Sequence, residues 1–228
     1  MRERIQKLKL SQISKSFDGK TQLFDDINFE FEFGKIVFLE GSLGAGKSLL
    51  LRMIAGLIEP TSGEIIYNKK SISSLSFEEL VPLRLSTAFC FEDGGLLMNK
   101  TCLENLKLPL LYHRQWRNGR SDLLLKDLAK LFDVEKFLDL RPAQVSNGIR
   151  KTIGLMRTLL HNPQILFLDE PSLGVGDDGV KALKVSLEKF RREGVGDELI
   201  LIASNDKRFM QEFEAQHIKI KDRKLVAA

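Results

Sequence analysis

The sequence has few of the residues that build metal or disulfide frameworks. Of 228 residues only two are cysteine, Cys90 and Cys102, and only three are histidine. No pair among them has metal-ligand spacing, so a zinc module and a disulfide scaffold are both excluded, and a reduced cytosolic setting is expected. No apolar run approaches the roughly 20 residues needed to cross a bilayer. The start, Met1 to Leu10, alternates charge with Leu and Ile like a half-exposed strand and has no apolar signal core. Membrane work is therefore expected only through another chain. Charge of one sign is also scarce: Lys and Arg number 35 against 31 Asp and Glu. The clusters Lys69-Lys70, Arg191-Arg192 and Lys219 to Lys224 read as solvated faces, and no nucleic-acid partner is expected. Repeats and low-complexity tracts are absent, and 43 % hydrophobic content suffices for a real core.

What is present centres on Gly41-Ser42-Leu43-Gly44-Ala45-Gly46-Lys47-Ser48, between the apolar run Ile36 to Leu39 and the helical run beginning at Leu49. This is strand, glycine loop, helix. The glycines let backbone N–H groups turn inward around phosphate oxygens, Lys47 reaches the terminal phosphates, and the Ser48 hydroxyl can ligate Mg²⁺. The helix start adds its orphan N–H groups to the same anion. A second constellation is the apolar strand Ile165 to Leu168 ending in Asp169-Glu170. A carboxylate at that strand end lies on the phosphate-loop side of a parallel sheet. Asp169 can hold Mg²⁺, and Glu170 can polarise an attacking water. The bland alternative is an acidic turn before Pro171.

Around these motifs, period-two patterning predicts antiparallel strands through Leu8, Leu10 and Ile13 and through Ile27, Phe29, Phe31 and Phe33, with a further strand at Gly63 to Asn68. Ser76 to Leu83 reads as a short helix and Thr87 to Phe91 as a buried strand. From Thr101 to about His161 the spacing turns helical, with apolar positions at Leu103, Leu106, Leu110, Leu123, Leu124, Leu128 and Leu131. Pro109, Arg117 to Arg120 and Arg141-Pro142 are expected to punctuate it. Helix from about Gly179 to Arg192, strand Leu199 to Ala203, another helix and a final strand Ile218 to Ile220 complete the pattern. The expectation is one α/β domain over 1–228, a P-loop NTPase core. It has a mostly parallel sheet and an antiparallel portion at the N-terminus (1–100 and 162–228), with an all-helical subdomain (101–161) inserted.

These motifs resemble, over essentially the whole length, the nucleotide-binding subunit of an ABC transporter. Gly41 to Ser48 match its Walker A motif, and Ile165 to Glu170 its Walker B motif with the catalytic Glu. Val145-Ser146-Asn147-Gly148-Ile149 occupies the place of the LSGGQ signature. The resemblance implies ATP and Mg²⁺ as cofactors, held by Gly41 to Ser48 and Leu49, with Ser48, Asp169 and Glu92 toward the metal. It implies that Ser146 and Gly148 face the nucleotide of a second such chain, in a homodimer or heterodimer. Phe17 stands where the family stacks an aromatic on adenine; with 15 Phe in the chain, a core Phe is the other reading.

Departures accompany the matches. Glu92 stands where the family has the Q-loop Gln, and Asn205 where it has the H-loop His; both belong with Glu170 and Lys47 in the implied catalytic set. Asn147 replaces a Gly, Ile149 replaces a Gln, and Gly176 aligns with the D-loop Asp unless Asp177 takes that role. An added charge at Glu92 and a lost imidazole at Asn205 weaken the γ-phosphate shell more than the binding groups. Gly94 to Leu97 and Thr101 to Leu110 are similar to the Mla-type lipid-trafficking and lipoprotein-release branches. The implied role is to couple MgATP binding, and slowed hydrolysis, to transport by a separate membrane permease, on the inner face of the membrane. The alternative is a regulatory subunit with little hydrolysis. A soluble P-loop kinase would need an acceptor site and lid, and neither is legible.

Overall fold

The structure, a computed structural model, describes residues 3–17, 19, 21–112, 120–193 and 196–227. They form two compact units: 1–88 with 164–169 and 197–228, and 89–163 with 170–196. The expected 101–161 segment falls wholly within the second unit, which also takes in the chain before and after it.

The first unit holds two sheets. The patterned N-terminal segments become β1 (Leu8–Ser16) and β2 (Gln22–Phe31), which pair antiparallel with Leu8 opposite Phe31. β4 (Ser62–Tyr67) joins the other side of β1, and the short β5 (Lys70–Ser71) follows it. The alternation predicted for these strands places Leu8, Leu10, Ile13, Ile27 and Phe31 in the core. The second sheet runs β10-β9-β3-β8-β7-β6, from β3 (Ile36–Glu40), β6 (Thr87–Cys90), β7 (Ile165–Asp169), β8 (Leu199–Ala203), β9 (Gln216–Lys221) and β10 (Lys224–Ala227). β3 lies parallel to both β8 and β9, and β7 parallel to β8. Being covered on both faces, β3, β7 and β8 read as continuous apolar runs instead of alternating ones.

Two helices follow sheet strands in this unit: α1 (Lys47–Ile54) and the short α7 (Lys207–Gln211). Phe209 on α7 meets Phe38 of β3 edge to face at 5.9 Å. α2 (Phe77–Arg84) begins at Ser76, whose hydroxyl accepts from Glu79 N while the Glu79 carboxylate accepts from Ser76 N. This capping box explains the legible helix start.

The second unit is helical among its described residues apart from the end of β6: α3 (Cys102–Tyr112), α4 (Arg120–Leu131), α5 (Asn147–Leu160) and α6 (Gly176–Glu193). Several expectations are corrected. Pro109 lies inside α3: it removes the bond to the Asn105 carbonyl, and the helix nonetheless runs on through it to Tyr112. Leu123 is exposed on α4, whereas Leu125, Leu128 and Ala129 are buried. Helix α6 starts at Gly176, three residues before the expected Gly179. The expected final strand Ile218 to Ile220 is part of β9 and turns at Asp222-Arg223 into a second strand, β10; the lysines of Lys219 to Lys224 face outward, in line with a solvated face. The punctuation at Arg117, Asn118 and Gly119 lies outside the described residues.

Candidate functional site

In the first unit the chain leaves β3 at Glu40, crosses the glycine loop and enters α1 at Lys47. Gly44 (φ +79°) and Gly46 (φ +91°) occupy left-handed backbone, and a Cβ on Gly46 would lie 2.7 Å from the side chains of Leu23 and Phe24. Helix α1 has no side-chain cap and no acidic residue in its first turn. Its N-terminal dipole is therefore not neutralised from within, which suits an anion. Lys47 is buried to 9 % exposure, while Leu43 at the loop tip is 99 % exposed.

The sequence separates Ser48 from Asp169 by 121 residues, and the parallel sheet brings them together. Ser48 Oγ donates to Asp169 Oδ1 at 2.7 Å, and Arg52 Nη2 lies 3.4 Å from Asp169 Oδ2. Asp169 itself is fully buried, a costly position for a carboxylate unless it is hydrogen-bonded and faces positive charge. A hydroxyl and a carboxylate are hard oxygen donors of the type Mg²⁺ takes, so the residues present fit that ion. Asn205, the expected His replacement, is at the same loop: its Oδ1 accepts from Gly41 N at 3.3 Å. Arg52 was not among the residues singled out from the sequence. Its position four after Ser48 on one helix puts both on one face, which is the signal that could have found it. The pair Glu40 Oε1 and His217 Nδ1, 2.7 Å apart with His217 stacked on Phe38, had no sequence signal, because register between β3 and β9 sets it.

Phe17 follows β1 and is 72 % exposed. The core reading of that residue is overturned; an exposed ring can stack on a base.

The second unit carries the other expected residues. Glu170 has φ +45°, a left-handed backbone that costs a non-glycine residue about 1 kcal/mol or more. Its carbonyl accepts from Leu173 N at 3.2 Å and from Lys151 Nζ. Ser146 caps α5, accepting from Ile149 N at 3.3 Å, and a Cβ on Gly148 would lie 2.4 Å from the Gly174 carbonyl oxygen. Asn147 is exposed and bonds to Arg150, and Gly176 opens α6 with Asp177 and Asp178 in its first turn.

Glu92 is exposed in the turn after β6. The next residues are tied to α5: Arg157 Nη2 donates to the carbonyls of Gly94 (3.0 Å) and Gly95 (2.8 Å), and a Cβ on Gly154 would lie 2.5 Å from Gly94 O. The Thr101 to Leu106 stretch also has a structural job. Glu104 and Thr101 form a reciprocal cap of α3, and the buried Asn105 bonds Leu97 N and O at 2.8 and 3.0 Å and Thr101 O at 2.9 Å. Among the described residues no group of His, Cys, Asp or Glu forms a separate metal cluster, and no helix is long and apolar enough to cross a membrane.

A glycine loop between a parallel strand and a helix, with a serine hydroxyl on a buried strand-end carboxylate, defines a P-loop nucleoside triphosphatase. The family model described as ABC transporter matches residues 24–173. The cell division ATP-binding protein FtsE of Haemophilus influenzae is 32 % identical over 209 residues, 90 % of this chain and 93 % of that protein. The methionine import ATP-binding protein MetN of Latilactobacillus sakei is 31 % identical over 86 % of this chain and 57 % of its own length. Among solved structures, the ATP-binding cassette MJ0796, a dimer in a post-hydrolysis state bound to ADP and Pi, superposes with a TM-score of 0.83. It is 25 % identical, with 96 % of this chain and 98 % of that one covered. The chain belongs to the ABC transporter family, as an ATP-binding cassette that takes ATP with Mg²⁺.

Proposed function

We propose that this cassette is the ATP-binding subunit that drives transport by a separate membrane permease, on the inner face of the membrane, and that its hydrolysis is slow. The observation that carries the reading is the Ser48–Asp169–Arg52 cluster beside an open glycine loop. Lys47, Ser48, the glycine loop from Gly41 to Gly46 and the α1 N-terminus with Leu49 hold the phosphates; Phe17 stacks on the base. Asp169 and Ser48 hold Mg²⁺, with Glu92 as a further oxygen donor; when bound, the ion neutralises charge on the β and γ phosphates. Glu170 takes the proton of the attacking water as general base. Two chains pair so that Ser146 and Gly148 of one face the nucleotide of the other, a reading supported by the dimer described for MJ0796.

The slow step follows from the γ-phosphate shell. Asn205 offers an amide without the positive charge of an imidazolium, and Glu92 adds a negative charge next to a polyanion. A base works only on a water held in line, so Glu170 alone gives little turnover. The permease docks on Glu92 to Lys100, where Leu97 and Met98 are exposed on a loop that Asn105 holds in shape. A lipid or hydrophobic substrate is the finer proposal, supported by the likeness of Gly94 to Leu97 to lipid-handling branches. The relatives above are named for cell division and methionine import.

Steady-state ATPase activity of the purified chain, alone and with its permease in vesicles, tests the reading. Stimulated hydrolysis that Glu170→Gln abolishes supports it. ATP binding without any hydrolysis in either setting would instead mark a regulatory subunit. Crosslinks from the permease landing only around Arg191 and Arg192 would contradict the docking surface.

A further inference from the structure

One cation in the second unit is placed where the family resemblance gave no reason to look. Lys151, on α5, is 3 % exposed, and its ammonium lies among backbone carbonyls. It donates to the carbonyl of Glu170 and, at 2.9 Å, to that of Leu173. These two residues bound a single turn, since Leu173 N also donates to Glu170 O at 3.2 Å. Burying an ammonium is unfavourable unless its N–H groups are satisfied. Here at least two of those donors are spent on the turn that begins at Glu170.

Two further features meet at that turn. Glu170 has the left-handed backbone noted above, a conformation that persists only when its surroundings impose it. Gly148, three residues before Lys151 and on the same helix face, packs against the far end of the turn, where a Cβ would lie 2.4 Å from Gly174 O. The first turns of α5 thus grip the segment 170–174 at both ends, Lys151 at Glu170 and Leu173 and Gly148 at Gly174.

We propose that Lys151 is a positioning residue for ATP hydrolysis: it holds the backbone turn that aims the Glu170 carboxylate, and it makes that aim follow any displacement of α5. The proposal rests on the reading of Glu170 as the general base. Lys151 contacts backbone oxygens, and its effect on the reaction is one of direction, so it should alter turnover and leave nucleotide affinity alone. Because Ser146 caps the same helix, whatever engages the α5 N-terminus also acts on the orientation of the base.

The test uses the full chain and compares wild type with Lys151→Met, Lys151→Gln, Lys151→Arg and Glu170→Gln. The readouts are kcat, KM for MgATP and melting temperature. Lys151→Met should lower kcat by about tenfold or more while KM stays within about threefold. Lys151→Arg, which keeps a cation with several donors, should recover most of the loss, and Lys151→Gln, with one neutral amide, should fall between. If Lys151→Met does not fold, the ranking of Gln below Arg in kcat at equal KM carries the decision. Wild-type kcat in Lys151→Met or Lys151→Gln, with Glu170→Gln inactive, would overturn the positioning role and spare the assignment of the base. Loss of KM and melting temperature in proportion to kcat would make Lys151 merely structural and overturn the proposal. Wild-type turnover in Glu170→Gln would overturn the assignment of the base and the proposal together.

Discussion

The phosphate loop of the first unit and the α5 neighbourhood of the second both depend on glycine, for opposite reasons. At Gly44 a Cβ would meet nothing within 4 Å, and the adjacent Leu43 is almost fully exposed. Glycine there supplies φ +79° and leaves backbone amides open to a ligand. At Gly148 and Gly154 the backbone is helical and needs no special φ, but another chain segment lies where a side chain would begin, 2.4 and 2.5 Å away. Gly44 keeps space for something that arrives; Gly148 and Gly154 have used theirs to lock segments together. The first should therefore fail in binding when altered, and the second in stability or turnover.

Lys47→Ala should have the largest effect. It removes the cation of the loop, and ATP affinity measured by calorimetry should fall on the order of 100-fold, equivalent to about 2.7 kcal/mol, with little change in melting temperature. Unchanged affinity would break the comparison at its binding end. Next, Gly154→Ala should destabilise the chain in urea by about 2 to 3 kcal/mol, because the Gly94 carbonyl cannot yield without disturbing the Arg157 bonds. Gly44→Ala should cost only about 1 kcal/mol of backbone strain while weakening ATP binding. Equal stability losses in the two variants would show that the glycines do the same job.

How much of this was legible depends on whether the controlling interaction is local. The phosphate loop, the strand ending at Asp169 and the capped start of α2 could be read because their signals lie within a few residues. Of the hairpin β9–β10, alternation at Ile218 to Ile220 revealed the first strand, whereas β10 was missed because only Leu225 in it is even half-buried. Pro109 misled because the packing of a whole helix can outweigh the one backbone bond that a proline removes. Of the site residues, Asn205 accepts from Gly41 N, a bond that is a property of the fold. Arg52 and Lys151 were passed over. Their partners, a carboxylate 117 residues away and two carbonyls about 20 residues away, come within reach only through sheet register and the packing of α5.

The smallest effect concerns the two reciprocal helix caps, one in each unit. The bond from Thr101 N holds the Glu104 carboxyl below its ordinary pKa, and that from Ser76 N does the same for Glu79. A carboxylate with a lowered folded-state pKa stabilises the fold above its unfolded pKa and loses that contribution as pH falls through the folded value. Glu104→Gln should therefore melt slightly below wild type at neutral pH, and the gap should close in acid. A gap that persisted through the acid range would mean that the amide's lost packing, and not the cap's charge, sets the difference.

The most direct test of slowed turnover at an intact binding site is steady-state ATPase kinetics of wild type beside Asn205→His, alone and combined with Glu92→Gln. The expected result is a wild-type kcat below roughly 1 s⁻¹, raised several-fold by Asn205→His, with KM for MgATP unchanged within a few-fold. A wild type that already turns over at about 1 s⁻¹ or faster, with Asn205→His no quicker, would contradict it.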